Sequence, residues 1–476
     1  MKKKIIRACT VAQSIGFVRD MLPDLMKKYE VVIVSSPGPE MDEVKERYGV
    51  KTIAVPMERH ISLKHDLVSL WRMIQVFRKE KPDMVHSMTP KAGLLCMMAG
   101  WLTRVPVRVH TFTGLVFPTS TGLKRRILML TDSITCWCAT HIIPEGEGVK
   151  ADLRNHGITH KPLKVLGYGN VMGVDMERFS RRENQLSVIG YRLSENSSLQ
   201  SKAAEPSDQR SVEDTDGLRN ENEKVTQISQ IPQINNDNEN ENLKTQNLKN
   251  SKLITDNTEL ITENFVFLFV GRIVRDKGIN ELMAAFQRLN EKYPETELVL
   301  VGAYEESLDP VSEETLAIIK ENAAVHHVGV KTGDDLVAEY AAADCFVFPS
   351  YREGFPNTVL EAGAMGLPSI VTDINGSREI IVEKFRVESG ECRDSSEVES
   401  FKSSDIKHQT SDIRLHRNGI IVPPRDEEAL YAAMERMVTD KEMRESMAAK
   451  ARPLIAERFE QGFVRRCLYE FYESLL

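Results

Sequence analysis

Short apolar runs alternate with amphipathic stretches along the first 182 residues: Ile5 to Cys9, Val31 to Ser35, Met84 to His86, Val107 to Thr111 and Leu163 to Leu166, with helical-period segments such as Leu67 to Arg78 between them. Continuous apolar runs fit strands covered on both faces, and intervening helices imply parallel pairing, because parallel neighbours need a crossover. The alternation stops at residue 183 and resumes at Phe265-Val266-Phe267-Leu268-Phe269-Val270, then continues through Glu297 to Val301, Cys345 to Pro349 and Ser369 to Val371. This pattern predicts an α/β protein of two doubly wound, Rossmann-like domains facing each other across a cleft, residues 1–182 and 263–455. The segment from Leu430 to Leu476 is helical by period. Its last part, residues 456–476, is expected to pack back on the N-terminal domain as a helix.

Residues 183–262 switch to Asn, Glu, Gln, Ser, Lys and Thr with few aromatics. Such a composition buries too little apolar surface to offset chain entropy, so a disordered insertion is expected there. Asp214-Thr215-Asp216 lies inside it; an Asp-x-Asp metal motif needs a rigid strand end, and this one has none. A second polar excursion, about residues 384–417, separates Glu379-Ile380-Ile381 from Asn418-Gly419-Ile420-Ile421-Val422-Pro423-Pro424.

With 476 residues, 41% hydrophobic and 28% charged, the chain has the balance of a soluble protein of two domains. The longest apolar run, Gly93 to Leu102, is about half of the ~20 residues that cross a bilayer. The opening Met1-Lys2-Lys3-Lys4 leads into a strand rather than a signal core, so a cytoplasmic protein is expected. Seven cysteines are scattered, and Cys136-x-Cys138 lacks the second half of a zinc site; reduced, buried thiols are expected.

Charge is uneven. Residues 1–182 carry 29 Lys and Arg against 17 Asp and Glu, and the remainder 33 against 53, within a net charge of -8. A basic front half suits anionic lipid headgroups at the inner membrane face or a phosphate-bearing acceptor; the competing reading is a solvated surface. Lys124-Arg125-Arg126 followed by Ile127-Leu128-Met129-Leu130 is the candidate contact. No nucleic-acid partner is expected.

The candidate chemistry sits at predicted strand ends, where open α/β sheets bind ligands. Gly271-Arg272-Ile273-Val274-Arg275-Asp276-Lys277 follows one strand, and Arg272 and Lys277 are placed to stabilise a departing diphosphate. Glu353-Gly354-Phe355-Pro356-Asn357-Thr358-Val359-Leu360-Glu361 follows another. Pro356-Asn357-Thr358 opens a helix whose N–H groups and dipole favour an anion. Glu361 is expected in the first helical turn, accepting from ribose hydroxyls, and Glu353 in the loop nearer a transferred sugar. An acidic residue in a first turn is ordinary, but that does not explain Glu353 in a Gly-Phe-Pro loop.

These motifs, with Asn375-Gly376-Ser377-Arg378-Glu379, Ser35-Ser36-Pro37-Gly38, Pro56-Met57-Glu58-Arg59, Thr89-Pro90-Lys91-Ala92-Gly93 and Gly173-Val174-Asp175-Met176-Glu177-Arg178-Phe179, resemble the family 4 retaining glycosyltransferases of GT-B fold, in the bacterial branch that builds capsular, O-antigen and lipid-linked glycans. The resemblance implies a nucleotide-sugar donor, most often a UDP-sugar, a glycan or lipid diphosphate-linked acceptor, and neither a cofactor nor a metal. It places Arg272 and Lys277 on the diphosphate, Glu361 on the ribose, Glu353 on the donor sugar, and backbone at Val328-Gly329-Val330 beside the base. It also implies a histidine near the donor sugar, for which His110 is the candidate by type, although many relatives carry theirs where Thr113 stands. Gly16 falls where such enzymes bring backbone close to donor and acceptor. Two alternatives stand beside the transferase: a nucleotide-sugar epimerase of similar fold, and a non-catalytic nucleotide-sugar-binding scaffold.

Overall fold

The computed structural model describes residues 2–58, 62–181, 264–305, 309–381 and 413–476. Arg59, the expected insertion with its Asp-x-Asp, and most of the 384–417 excursion lie outside the described residues.

The N-terminal half holds six parallel strands, β1 (Lys4–Ala8), β2 (Glu30–Ser35), β3 (Lys51–Ala54), β4 (Met84–Met88), β5 (Val107–Phe112) and β6 (His141–Pro144), in the order β3-β2-β1-β4-β5-β6. Its helices are α1 (Gly16–Arg19), α2 (Leu22–Lys28), α3 (Pro39–Tyr48), α4 (Leu63–Glu80), α5 (Pro90–Leu102), α6 (Gly122–Cys138) and α7 (Glu147–Asn155).

The C-terminal half repeats the plan. Strands β7 (Phe265–Val270), β8 (Thr296–Val301), β9 (Val325–Gly329), β10 (Cys345–Phe348), β11 (Ser369–Thr372), β12 (Arg414–Leu415) and β13 (Gly419–Val422) run in the order β12-β13-β11-β10-β7-β8-β9, with β12 antiparallel at the edge. Without that edge strand the two sheets have the same winding, each reversing between its first and fourth strand: β1/β4 in one half and β7/β10 in the other. Helices α8 (Ile279–Lys292), α9 (Glu313–Glu321), α10 (Gly333–Ala342), α11 (Asn357–Ala364), α12 (Ser377–Ile380), α13 (Glu427–Thr439), α14 (Lys441–Phe459) and α15 (Gln461–Glu473) complete this half.

One strand expectation changes, and one strand was not expected. Leu163 to Leu166 forms only an isolated bridge, Leu163 to Ile142, and the sixth strand is instead His141–Pro144. Strand β3 at the sheet edge opens on Lys51 and Thr52 and carries only the short apolar stretch from Ile53, because an edge strand is only partly covered.

The chain's end crosses back to its beginning. Val174 pairs with Glu460, its N–H donating to the Phe459 carbonyl at 2.8 Å, and α15 then inserts Leu468, Phe471 and Tyr472 into the core formed with Ile5, Leu22 and Ile33. At its centre lies a buried polar group. Arg7 on β1 is 2% exposed, and its guanidinium meets the Tyr472 hydroxyl and, at 3.0 Å, the Met88 sulfur. The same hydroxyl bonds His86 Nδ1, while His86 Nε2 meets Thr111 Oγ1 at 2.7 Å. Burial, with Arg7 beside it, holds the His86 imidazole neutral.

Candidate functional site

Strands β7 and β10 are neighbours at the reversal point, so the loops leaving their carboxyl ends meet. After β7 the chain makes one tight turn, Arg275–Lys277, and Gly278 at φ +74° begins α8. A Cβ there would stand 2.1 Å from the Pro349 carbonyl, so only glycine lets the β7 loop lie against the β10 loop. Lys277 therefore closes a turn rather than opening the next helix. Its ammonium pairs with Glu353 Oε1, which also accepts from the Ser350 hydroxyl at 2.8 Å, and it lies 5.4 Å from the Phe348 ring centroid. Arg272 is turned the other way, paired with Glu305, and half of its side chain is exposed. The structure thus joins Lys277 with Glu353 and holds Arg272 on a separate carboxylate.

Helix α11 begins at Asn357 behind Pro356, and no side chain caps it, which leaves its first N–H groups as an anion-favouring terminus. Glu361 lies one turn in, not in the first turn as expected. There it accepts a 2.9 Å hydrogen bond from the Tyr340 hydroxyl, which also donates to the Thr358 carbonyl at 3.2 Å. Burial raises the Glu361 carboxyl to about 7, against the opposing pull of the Tyr340 hydrogen bond and of Arg178. Tyr340, from α10, and Arg178, from the N-terminal half, thus act on the candidate ribose carboxylate from distant parts of the sequence.

Val328 and Gly329 end β9, where the Gly329 carbonyl accepts from Gly302 N at 2.8 Å, and Val330 is exposed beyond them. Gly271 extends β7 by one bond, its N–H donating to the Val301 carbonyl at 2.9 Å. Tyr304 and His327 meet beside this edge at a tilt, ring centroids 4.6 Å apart.

Two candidates move into the interior. Phe355 is 6% exposed and packs on Phe459 of α14 at 5.3 Å, so its role is to anchor the loop rather than to touch a donor. His110 is 1% exposed on β5, with Nδ1 2.9 Å from the Ser87 hydroxyl and Phe112 edge-on at 4.4 Å. Burial lowers its pKa to about 3. It lies beneath Gly93 of α5, where a Cβ would stand 2.3 Å from its Cε1, and is a core histidine rather than a donor-site one. The residue at the cleft is Thr113: its carbonyl oxygen would be 2.4 Å from a Cβ on Gly354. Gly16 heads α1 with open space around it.

The N-terminal half contributes a carboxyl that the spacing argument missed. Glu145, just past β6, is 4% exposed, and its Oε2 lies 2.6 Å from where a Gly354 Cβ would stand. Burial raises its pKa well above the ordinary range, and Glu353 and Glu379 add to the shift, so the carboxyl favours its protonated form. Its signal was Pro144-Glu145-Gly146-Glu147-Gly148, acidic residues among glycines at a strand end. Glu379 crosses between halves as well, accepting from Glu147 N at 2.7 Å and Gly148 N at 3.0 Å at the start of α7. Asn375 donates to Asp152 at 2.7 Å and Asn170 to Asn357 at 2.8 Å. The motif Asn375 to Glu379 and the first residue of α11 are therefore part of the seam that brings the N-terminal half onto the phosphate-favouring helix.

Among the described residues the cysteines are free thiols, Cys136 being raised to about 12 by burial, and no three His, Cys, Asp or Glu side chains gather to hold a metal ion.

Two like-wound sheets joined by this seam, with a cation, carboxylates and a helix terminus at one reversal point, define a two-domain GT-B protein. Residues 18–169 match the glycosyl transferase 4-like domain, and residues 251–404 the glycosyl transferases group 1 model. The chain belongs to this family and is a glycosyltransferase. It is 28% identical over 476 residues to the capsular polysaccharide biosynthesis glycosyltransferase CapM of Staphylococcus aureus, covering 100% of this chain and 98% of that one. It is 25% identical over 376 residues to the UDP-Gal:alpha-D-GlcNAc-diphosphoundecaprenol alpha-1,3-galactosyltransferase of Escherichia coli, covering 77% and 76%. Its fold is shared with Anabaena Alr3699/HepE, crystallised with UDP, at TM-score 0.61 and 15% identity over 100% of both chains.

Proposed function

We propose that this glycosyltransferase moves a hexosyl or N-acetylhexosaminyl group from a UDP-sugar to a hydroxyl of a lipid diphosphate-linked glycan during surface polysaccharide assembly, retaining the anomeric configuration and without a metal. The observation that carries the reading is the Lys277–Glu353 pair at the β7/β10 reversal point, with Glu353 on the loop that enters the uncapped α11. The name of the Escherichia relative supports the acceptor class, and that of the Staphylococcus relative supports surface polysaccharide assembly.

In this reading the diphosphate meets the α11 N–H groups and Lys277, and Arg272 exchanges Glu305 for a phosphate oxygen. These cations stabilise the charge that grows as the bond from anomeric carbon to phosphate oxygen breaks, the task a divalent ion performs elsewhere. Glu353 orients the sugar hydroxyls, and Glu361 accepts from the ribose once ionised. The acceptor oxygen bonds to the anomeric carbon on the face the phosphate leaves, and its proton passes to that phosphate, so no enzyme nucleophile is required. The seam between halves keeps water from the cation-like sugar.

The test is nucleoside diphosphate release with chelator present, across UDP-, GDP- and ADP-sugars, with membrane extract as acceptor source. Release from one donor that depends on the extract, and falls at least ~100-fold in Glu353→Ala and in Lys277→Ala, is the expected outcome. UDP binding without release from any sugar would favour the scaffold, and sugar interconversion without acceptor the epimerase.

A further inference from the structure

All three tryptophans of this chain are exposed, and all three lie on neighbouring helices of the N-terminal half: Trp71 on α4 at 60%, Trp101 on α5 at 46% and Trp137 on α6 at 61%. Helix α5 packs between α4 and α6, and the Trp101 and Trp137 rings are 5.0 Å apart, so the helices share one outer face. Along α6, Leu123, Ile127, Leu130 and Trp137 recur at helical spacing and are all exposed, a stripe about 21 Å long at 1.5 Å per residue. Exposed Leu63, Leu67 and Trp71 make a matching stripe along the first half of α4. Met73 and Phe77 of α4, and Cys136 of α6, meanwhile supply the core. These helices are therefore apolar on both sides, which hydration penalises unless something covers the outer face.

Charge identifies the cover. Lys64, Arg72, Arg78 and Lys79 on α4, Arg104 after α5, and Lys124 and Arg126 on α6 are all exposed, whereas the carboxylates on the three helices, Asp66, Glu80 and Asp132, are each buried or half-buried. Protein interfaces are depleted in lysine, whereas a bilayer interface takes indole rings at headgroup level and draws flexible cations to lipid phosphate. Among the described residues no helix is long and apolar enough to cross a membrane. We infer that the outer face of α4, α5 and α6 docks on the surface of an anionic phospholipid bilayer, its tryptophans and leucines in the headgroup boundary and its Lys and Arg on lipid phosphates. The chain that lines the cleft at Thr113 and Gly114 enters α6 eight residues after Gly114, so docking sets the cleft beside the membrane. This deepens the transferase reading by naming where a lipid-linked acceptor is met, and rests on it only for that acceptor.

Because every tryptophan lies on the face, intrinsic fluorescence reports its environment directly. With full-length protein and phosphatidylglycerol-containing vesicles we expect a blue shift and co-sedimentation, both weakened by salt, and neither with pure phosphatidylcholine. Lys124→Glu with Arg126→Glu should weaken partition at least about tenfold, since one basic residue near an anionic surface contributes about fivefold. Ile127→Glu with Leu130→Glu should abolish the blue shift. Calorimetric UDP affinity, unchanged in both variants, checks that they fold. Three outcomes overturn the proposal: no partition onto either vesicle by folded protein, equal partition onto both, or a concentration-dependent blue shift with doubled mass and no lipid, which would make the cover a second copy of the chain. Sugar transfer is not read in this assay, so failure of the transferase reading leaves its result standing.

Discussion

Glu361 shows how burial tunes one side chain of the site. Its carboxyl is raised to about 7, whereas ribose hydroxyls donate best to the ionised form. UDP affinity should therefore rise between pH 6 and pH 8 in the wild type and be nearly flat in Glu361→Gln, as measured by calorimetry; an equally steep profile in the variant would remove Glu361 from the ribose. The folded carboxyl holds its proton more tightly than the unfolded one, so its contribution to stability falls as pH rises from 4.5 to about 7. His110 is tuned by the same force for a different end. Gly93→Ala should cost about 1–3 kcal/mol by overpacking the imidazole, measured by urea unfolding, and His110→Ala in the same chain should recover part of it. Activity per folded molecule should survive His110→Ala within a few-fold, because the ring sits in the core.

At the scale of elements, α11 and α15 differ in what holds them. Helix α11 has buried Val359 and Leu360 against the sheet and an open N-terminus, so packing fixes the anion-favouring end in place. Helix α15 belongs by sequence to the C-terminal half and by packing to the N-terminal core. Its Tyr472 hydroxyl serves both Arg7 and His86, and among the described residues no carboxylate pairs with Arg7. Tyr472→Phe keeps the ring and removes the hydroxyl, leaving a buried guanidinium short of an acceptor; we expect a loss of about 1–3 kcal/mol in urea unfolding. A loss under 0.5 kcal/mol would mean that the ring alone holds the helix.

Across the whole molecule, carboxyls from both halves meet at the seam: Glu145 from one, Glu353 and Glu379 from the other. Glu145 is kept protonated by burial and by these neighbours, so raising the pH through its elevated pKa charges the seam and weakens it. The sign follows from the raised folded pKa: stability is lost as pH rises above the ordinary glutamate value. Glu145→Gln keeps the neutral shape, so its melting temperature should gain on the wild type as pH rises above the ordinary glutamate value; parallel curves would show that the seam does not feel this proton. The sequence by itself determined what local chemistry dictates. Buried strands such as Phe265 to Val270 must be apolar, Pro356-Asn357-Thr358 must open a helix, and Glu353 must stand in the loop before that helix with Glu361 on it. Edge strand β3, only partly covered, left just a short apolar stretch to read, and Leu163 to Leu166 carried a run without a neighbour to pair with beyond one bridge. Only the tertiary structure decided that Lys277 faces Glu353 while Arg272 faces Glu305, that His110 and Phe355 turn inward, and that Tyr340 and Glu145 join the site. The reason is physical: helical and strand periods act over a few residues, whereas burial and the pairing of charges depend on what the fold brings from 76 or 208 positions away.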